Sequence, residues 1–455
     1  MTQSIVTCLK PLLSVILGVC LLIGTAPAYA QIATGRQGEA AGAITRADRD
    51  RAIAAVKAEF QKTYVFPETV PAIIAKLDQS LTSGRYDVDS PSELAALITA
   101  DLRDSSHDRH AYLSYDPARY AAAQKPAQAG GDDELAAYDA AQARHDNFGL
   151  TDLRILPGNI RYLKIDGFEW VDDETGQAYD DAMRFLKGGD AVVIDLRGNG
   201  GGSGQAVLYL VSHFMKAGTL EITFLQGNET PMQVHILDNV PAGRMIGKPL
   251  YVLVDSAVGS AAEGFAYDVQ QFKLGQLVGA KTAGAANNNS FVPIAPGFML
   301  SVSYGRPVHP ISQSNWEGVG VTPDIEVDPA QALDAAQALA LSRLDISSAS
   351  PEQRADYAWA KIEVQARLHP VTVSPAVAQT LTGVYDKYIV TYQDGALWLA
   401  RPGHPLWPRP CQMRALNTEN LFAVDGVDRL HVVLTGKAME LWWKGENTPR
   451  TLIKN

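Results

Sequence analysis

Four segments of the chain carry residues whose types and spacing suit chemistry. The first is Ile194-Asp-Leu-Arg-Gly-Asn-Gly-Gly-Gly-Ser-Gly204, where an apolar run enters a loop with five glycines in seven residues. Glycine permits tight turning and close backbone approach, so such a loop presents N–H groups at the start of a following helix, able to hold a phosphate or a developing oxyanion. No Gly-Lys-Ser/Thr follows and the spacing is not G-x-G-x-x-G, which excludes a P-loop and a dinucleotide fingerprint. The second is Asp255-Ser-Ala-Val-Gly-Ser-Ala-Ala-Glu-Gly264, in which Ser260 opens a helix. A hydroxyl there lies in the field of the helix N-terminus, which suits a nucleophile; serine is also a favoured N-cap, so both readings stand.

The third segment is Asp104-Ser-Ser-His-Asp-Arg-His110. His107 and His110 are solvated histidines, a base, or half of a metal site, but no further ligands at zinc spacing accompany them, so no metal is expected. The fourth is Asn315-Trp-Glu-Gly-Val-Gly-Val-Thr-Pro-Asp324. Glu317, flanked by an aromatic and glycines, could orient and charge-balance a histidine base, or form a rim salt bridge.

Elements that would position these residues follow from periodicity. Ile53, Val56, Phe60 and Tyr64 recur at helical steps, and Ser90-Pro-Ser-Glu93 is a capping box opening a second helix, which makes 45–117 an N-terminal helical domain. Residues 118–145, rich in Ala, Gln, Gly and Asp, read as an exposed helical or flexible insert. Over 146–330, short apolar runs at 160–165, 191–195, 250–254 and 277–279 alternate with helical patterns at 178–186, 205–215 and 261–272. That alternation predicts a layered α/β catalytic domain. A helical linker at 331–370 then leads to a small C-terminal antiparallel β domain at 371–455.

The 455 residues include 39 Lys+Arg and 50 Asp+Glu, a formal charge of −11, with no basic cluster, so a nucleic-acid partner is excluded. Residues 1–30 combine Lys10, an apolar run from Pro11 to Gly24 and an Ala-x-Ala end, the pattern of a signal peptide cut after Ala30. The run is shorter than the roughly twenty residues that span a bilayer, so no transmembrane segment is expected after cleavage, and a periplasmic or secreted location is. Two of the three cysteines leave with the signal; Cys411 alone cannot form an intramolecular disulfide and reads as a small buried hydrophobe.

The glycine loop at 194–202, Ser260-Ala-Ala-Glu263, Thr282-Ala-Gly284 and Asn315 to Asp324, in that order, resemble the C-terminal-processing (tail-specific) serine peptidases. More closely they resemble the branch containing tricorn protease and the repeats of interphotoreceptor retinoid-binding protein. The resemblance implies a crotonase-like (ClpP/crotonase) α/β spiral over the catalytic domain. It also implies a peptide or protein substrate and no cofactor. Carried over by position, Ser260 is the nucleophile, and the N–H groups of Ala261 and of Gly200 or Gly201 form an oxyanion hole. The lysine base of many relatives falls at Ala285, and Lys281 lies on the wrong part of the turn, so no Ser–Lys dyad is implied. A histidine base with Glu317 in support is implied instead. An Asp-x-His pattern favours His110, and a Ser-His pair favours His107. Residues 118–145 are too short for the PDZ domain that many relatives insert. The competing readings are a lapsed relative binding hydrophobic ligands or peptides, and an acyl-CoA enzyme, which export from coenzyme A disfavours.

Overall fold

The computed structural model describes residues 43–124, 134–227, 229–344, 349–404, 407 and 409–455. The expected signal peptide lies outside them. Along the chain, helices α1 (Arg46–Thr63), α2 (Val70–Thr82) and α3 (Pro91–Ser106) come first. Each of α1 and α3 starts on a hydroxyl cap: Thr45 accepts from the Asp48 N–H and Ser90 from the Glu93 N–H, with Pro91 at the first helical position. Strand β1 (Tyr112–Tyr115) and helices α4 (Pro117–Ala123) and α5 (Glu134–His145) follow, so helix occupies both ends of the insert expected at 118–145.

The next stretch runs β2 (Leu150–Leu156), β3 (Ile160–Ile165), α6 (Asp173–Lys187), β4 (Ala191–Asp195), α7 (Gly204–Ser212), β5 (Leu220–Leu225) and β6 (Met232–His235). It continues through β7 (Leu250–Val254), α8 (Ala261–Gln271), β8 (Gln276–Gly279), β9 (Asn288–Ile294), β10 (Phe298–Val308) and β11 (Ile325–Glu326). A six-stranded sheet in the order β11-β8-β7-β4-β3-β2 forms the centre; its members are parallel except β2, which runs against β3. Both faces are covered, and β4 shows why its sequence is uninterruptedly apolar. Val192 and Ile194 pack with α6, α7 and α8 on one face. Ala191 and Val193 pack on the other against α9 (Ala332–Leu344) and α10 (Pro351–Leu368). Helices α9 and α10 therefore supply the second covering layer of the sheet.

The helical block does not close on its own core. Ile53, Val56, Phe60, Leu94, Ile98 and Leu102 share one apolar cluster with Ile294, Phe298, Leu300 and Val302 of the β9–β10 hairpin. Strand β10 is the joint. Its first half pairs with β1 and β9, and Arg306 to Val308 pair with β5. The segment leading from α3 into β1 is thereby fixed against the α/β layer.

After α11 (Pro375–Leu381) come eight antiparallel strands: β12 (Gly383–Tyr385), β13 (Tyr388–Gln393), β14 (Ala396–Ala400), β15 (Cys411–Ala415), β16 (Leu421–Val424), β17 (Leu430–Leu434), β18 (Ala438–Trp443) and β19 (Arg450–Ile453). Each pairs with its sequence neighbour, and a bridge from Tyr385 to Lys454 joins the ends into a near-barrel. Its seam with α10 carries a His431 ring stacked on Trp359 at 3.6 Å and bonded to Glu363 at 3.0 Å. Cys411 is free and half-buried.

Candidate active site

Strand β7 ends at the centre of the sheet, and its loop delivers Ser260 to the N-terminus of α8. The backbone there is unusual: Ser260 has φ 52° and ψ −124°, a combination natural to glycine at the first central position of a II′ turn and costly for an L side chain. The surrounding structure must hold it, and three contacts do so. Asp255 Oδ1 accepts from the N–H groups of Gly198, Ala257 and Val258, tying the serine loop to the glycine loop. The Gly259 N–H donates to the Asn199 carbonyl at 3.1 Å. Glu263, fully buried one helical turn on, accepts the Ser260 N–H at 3.1 Å.

The glycine loop lies directly against this serine. A Cβ at Gly201 would stand 2.7 Å from Ser260 Cβ, 2.8 Å from the Gly259 carbonyl and 3.0 Å from the Ala261 nitrogen, so only glycine fits. The Gly201 N–H is already spent on Asn199 Oδ1 at 2.8 Å. The Gly200 and Ala261 N–H groups make no hydrogen bond to another described residue.

Glu263 also accepts Thr282 Oγ1–H at 2.5 Å and the Gly284 and Ala285 N–H groups at 2.6 and 2.8 Å. The next two N–H groups, of Ala286 and Asn287, donate to Glu317 Oε2 at 2.5 and 2.9 Å. Four successive backbone donors thus hold two carboxylates, one on the serine side and one from the Trp316 turn. Ala285 and Ala286 are neighbours about 3.8 Å apart, so the two carboxylates are anchored next to each other. The turn packs tightly on this segment. A Cβ at Gly284, whose φ is +83°, would come within 2.9 Å of the Gly320 nitrogen.

His110 comes from the segment after α3. Helix α3 stops at His107, whose left-handed φ of 55° turns the chain. Asp108 then folds back, its N–H on Ser106 Oγ at 3.1 Å and its Oδ1 accepting the His110 N–H at 2.8 Å. Ser301 of β10 donates its hydroxyl to the His110 carbonyl. Ligand atoms of Asp108, His110 and Glu317 lie within 4.8 Å of one another. The His107 side chain is exposed at the helix end, outside this cluster. Lys281 is also exposed, and Ala285 is buried.

Burial dominates the electrostatics. It pushes the Glu317 carboxyl up to about 7, with the Asp108 charge adding to the effect. Burial holds the His110 imidazole below its ordinary value, against the pull of Asp108. It raises Glu263 too, opposed by the hydrogen bonds from Thr282 and the backbone.

The structure brings Ser260, Ala261, Gly200 and Gly201 into one loop pair, and His110 and Glu317 into one cluster, with the 282–287 segment between them. Sequence reasoning gave no role to Asp108, Glu263, Asn199 or Thr282. The signals were present: Ser-x-x-Glu at 260–263 is a capping-box spacing, and Asp108 stands in the Asp-x-His pattern.

Residues 159–327 match the model of peptidase family S41. Residues 43–145 match that of the N-terminal domain of this family in eukaryotic IRBP. Together the two matches span more than half of the chain. Among solved structures, the photosystem II D1 C-terminal processing protease is 18% identical with a TM-score of 0.40, the alignment covering 63% of this chain and 94% of that one. Mature CPAF is 13% identical with a TM-score of 0.46, covering 66% and 98%. Tricorn protease is 12% identical with a TM-score of 0.41, covering 65% of this chain and 37% of that one.

Proposed function

Because this chain belongs to peptidase family S41, we propose that it is an exported serine peptidase with Ser260 as nucleophile, His110 as general base and Glu317 as the carboxylate that supports the base. The observation that carries this reading is the Ser260 backbone. A non-glycine residue at φ 52°, pressed against a glycine loop at a helix N-terminus, is strain maintained by its surroundings, and such strain clusters where reacting groups must be aimed.

In the proposed mechanism, Ser260 Oγ attacks the peptide carbonyl while its proton passes to His110. The His110 Nδ1 is buried and bonds no described residue, so in this reading Nε2 is the atom that serves the serine. Glu317 fixes the Nδ1–H tautomer and stabilises the imidazolium. The Gly200 and Ala261 N–H groups, which have no other described partner, receive the oxyanion; one such donor is worth about 3–4 kcal/mol in related chemistry. His110 then returns the proton to the leaving amine, and water hydrolyses the acyl-enzyme by the same route. Among the described residues no helix is long and apolar enough to cross a membrane, and the N-terminal pattern supports export.

The test is labelling with a fluorophosphonate serine probe, with Ser260→Ala and His110→Ala as controls. The wild type is expected to label and both variants to lose label while keeping their circular dichroism. Equal labelling of folded Ser260→Ala would end the proposal.

A further inference from the structure

Asp108, His110 and Glu317 hold a second possibility beside the proton chemistry. Asp108 Oδ1 is engaged by the His110 N–H, and Glu317 Oε2 by the Ala286 and Asn287 N–H groups. What remains is Asp108 Oδ2, His110 Nδ1 and Glu317 Oε1, each buried and each without a hydrogen-bond partner among the described residues. Asp108 is only 1% exposed, so bulk water does not solvate its free oxygen. Tyr64, the cap residue after α1, has its hydroxyl buried beside Asp108. A single Nδ1–H can serve one of the two free carboxylate oxygens, and the other is left buried with no donor from the ring.

A dication satisfies all three atoms together. Two carboxylate oxygens and one imidazole nitrogen suit zinc-class ions, with a fourth position open to water. Calcium and magnesium want six or more oxygens and are poorly served by this set. Along the chain no further ligands at zinc spacing accompany His107 and His110; the fold brings the distant Glu317 to Asp108 and His110.

We propose that Asp108, His110 and Glu317 bind a zinc-class divalent cation, and that occupancy switches off the serine. The binding half stands on the convergence of the three side chains, which bring a ligand atom each within 4.8 Å of one another and must draw in to about 3.3 Å around bonds of 2.0–2.2 Å. The inhibitory half rests on His110 being the base. On binding, the Nδ1–H bond breaks, an Nδ1–metal bond forms and the ring proton moves to Nε2, so the imidazole stays neutral. Nε2 then has no lone pair for the Ser260 proton.

The experiment is calorimetric titration of the untagged Ser260→Ala protein with zinc chloride, beside Asp108→Asn and Glu317→Gln in the same background. One site per chain is expected, weakened at least tenfold by either substitution, with no heat from calcium or magnesium. Cobalt(II) in place of zinc should give the visible absorption of a four-coordinate site, lost in His110→Ala, which covers the case where Asp108→Asn folds poorly. In the wild type, zinc should slow fluorophosphonate labelling with a midpoint matching the binding constant, and a chelator should restore it. Unchanged zinc affinity in both folded carboxylate variants overturns the site. Binding by Ser260→Ala without any wild-type labelling keeps the site and removes the peptidase reading. Labelling that zinc leaves untouched despite binding overturns the inhibitory half.

Discussion

Replacing Gly201 by alanine isolates the contact on which the serine geometry depends. The added methyl would lie 2.7 Å from Ser260 Cβ, about 0.7 Å inside the 3.4 Å at which ordinary contact begins, with the Gly259 carbonyl at 2.8 Å behind it. None of these atoms is a flexible side-chain end, so the 259–261 backbone must give way by a comparable distance. Two terms add: a backbone at φ +112° costs an L residue about 1–3 kcal/mol, and overpacking costs about 1–3 kcal/mol more. Gly198→Ala is the matched control. Its φ is +81°, but nothing lies within 4 Å of a Cβ there, so only the first term applies. Urea denaturation should therefore place Gly201→Ala below Gly198→Ala by about 1–3 kcal/mol. The labelling rate separates them further, because moving the Ala261 and Gly200 donors should cost about 10²–10³-fold in Gly201→Ala and little in Gly198→Ala. If folded Gly201→Ala labels within about threefold of Gly198→Ala, a scale far below one lost donor, the glycine loop does not form the oxyanion site and the reasoning fails.

Ser260→Gly should be more stable than Ser260→Ala by about 1 kcal/mol, since glycine takes φ 52° without strain while alanine keeps its Cβ; equal midpoints in denaturant would show that the backbone is not held under strain. Glu263→Gln should lose about 2–4 kcal/mol, because an amide offers N–H where the Ser260, Gly284 and Ala285 N–H groups need acceptors; an unshifted midpoint would contradict the clamp. Burial holds the facing carboxyls of Glu221 and Asp268 well above their ordinary range, with Asp268 Oδ1 3.4 Å from His309 Nε2. Raised carboxyls keep protons in the folded state that the unfolded chain releases above about pH 4, so this pair lowers stability as pH rises. Glu221→Gln should accordingly melt a few degrees higher than wild type at pH 8, a gain of about 1 kcal/mol, with a smaller difference at pH 5; an equal difference at both pH values would refute the assignment.

The parallel strands were legible because both faces of each are buried. At Ala191-Val-Val-Ile the residues alternate between two apolar cores, so the run carries no polar interruption and stands out in the sequence. The β9–β10 hairpin was not. Asn288 to Ile294 is only partly buried, and β10 contains Ser301 and Ser303 at fully buried positions, where the Ser301 hydroxyl serves the His110 carbonyl. Polar residues inside a strand hide its period, and here they are present because the strand supports the histidine segment. The barrel strands β13, β14 and β18 alternate buried with half-buried positions along most of their length, whereas β17 is buried at four of five residues and Cys411-Gln-Met-Arg-Ala415 carries a mixed pattern that pairing with neighbours completes.

The site shows the same division between local and distant cause. Ser260, the glycine loop and Glu317 announce themselves by unusual composition within ten residues. The choice between His107 and His110 is not local, because it depends on which ring reaches a carboxylate contributed from beyond β10. His107 takes the left-handed turn that ends α3, and a residue committed to that backbone leaves its ring exposed; His110, three residues later, falls beside Glu317. Ala285 completes the argument. Its N–H is held by Glu263 and its carbonyl receives Trp316 Nε1–H at 3.2 Å, so the position where related enzymes place a lysine base is here a buried backbone joint between α8 and the Trp316 turn. An alanine contributes no proton acceptor, and the proposed chemistry then requires a base from another element. The helical block, locked to β10 through Phe298, Leu300 and Val302, is the element that delivers one. On this reading the N-terminal helices are part of the active site: breaking their shared core with Leu300→Ala should lower the labelling rate as well as the melting temperature, while an equally destabilising cut in the barrel, such as Leu399→Ala, should lower only the latter.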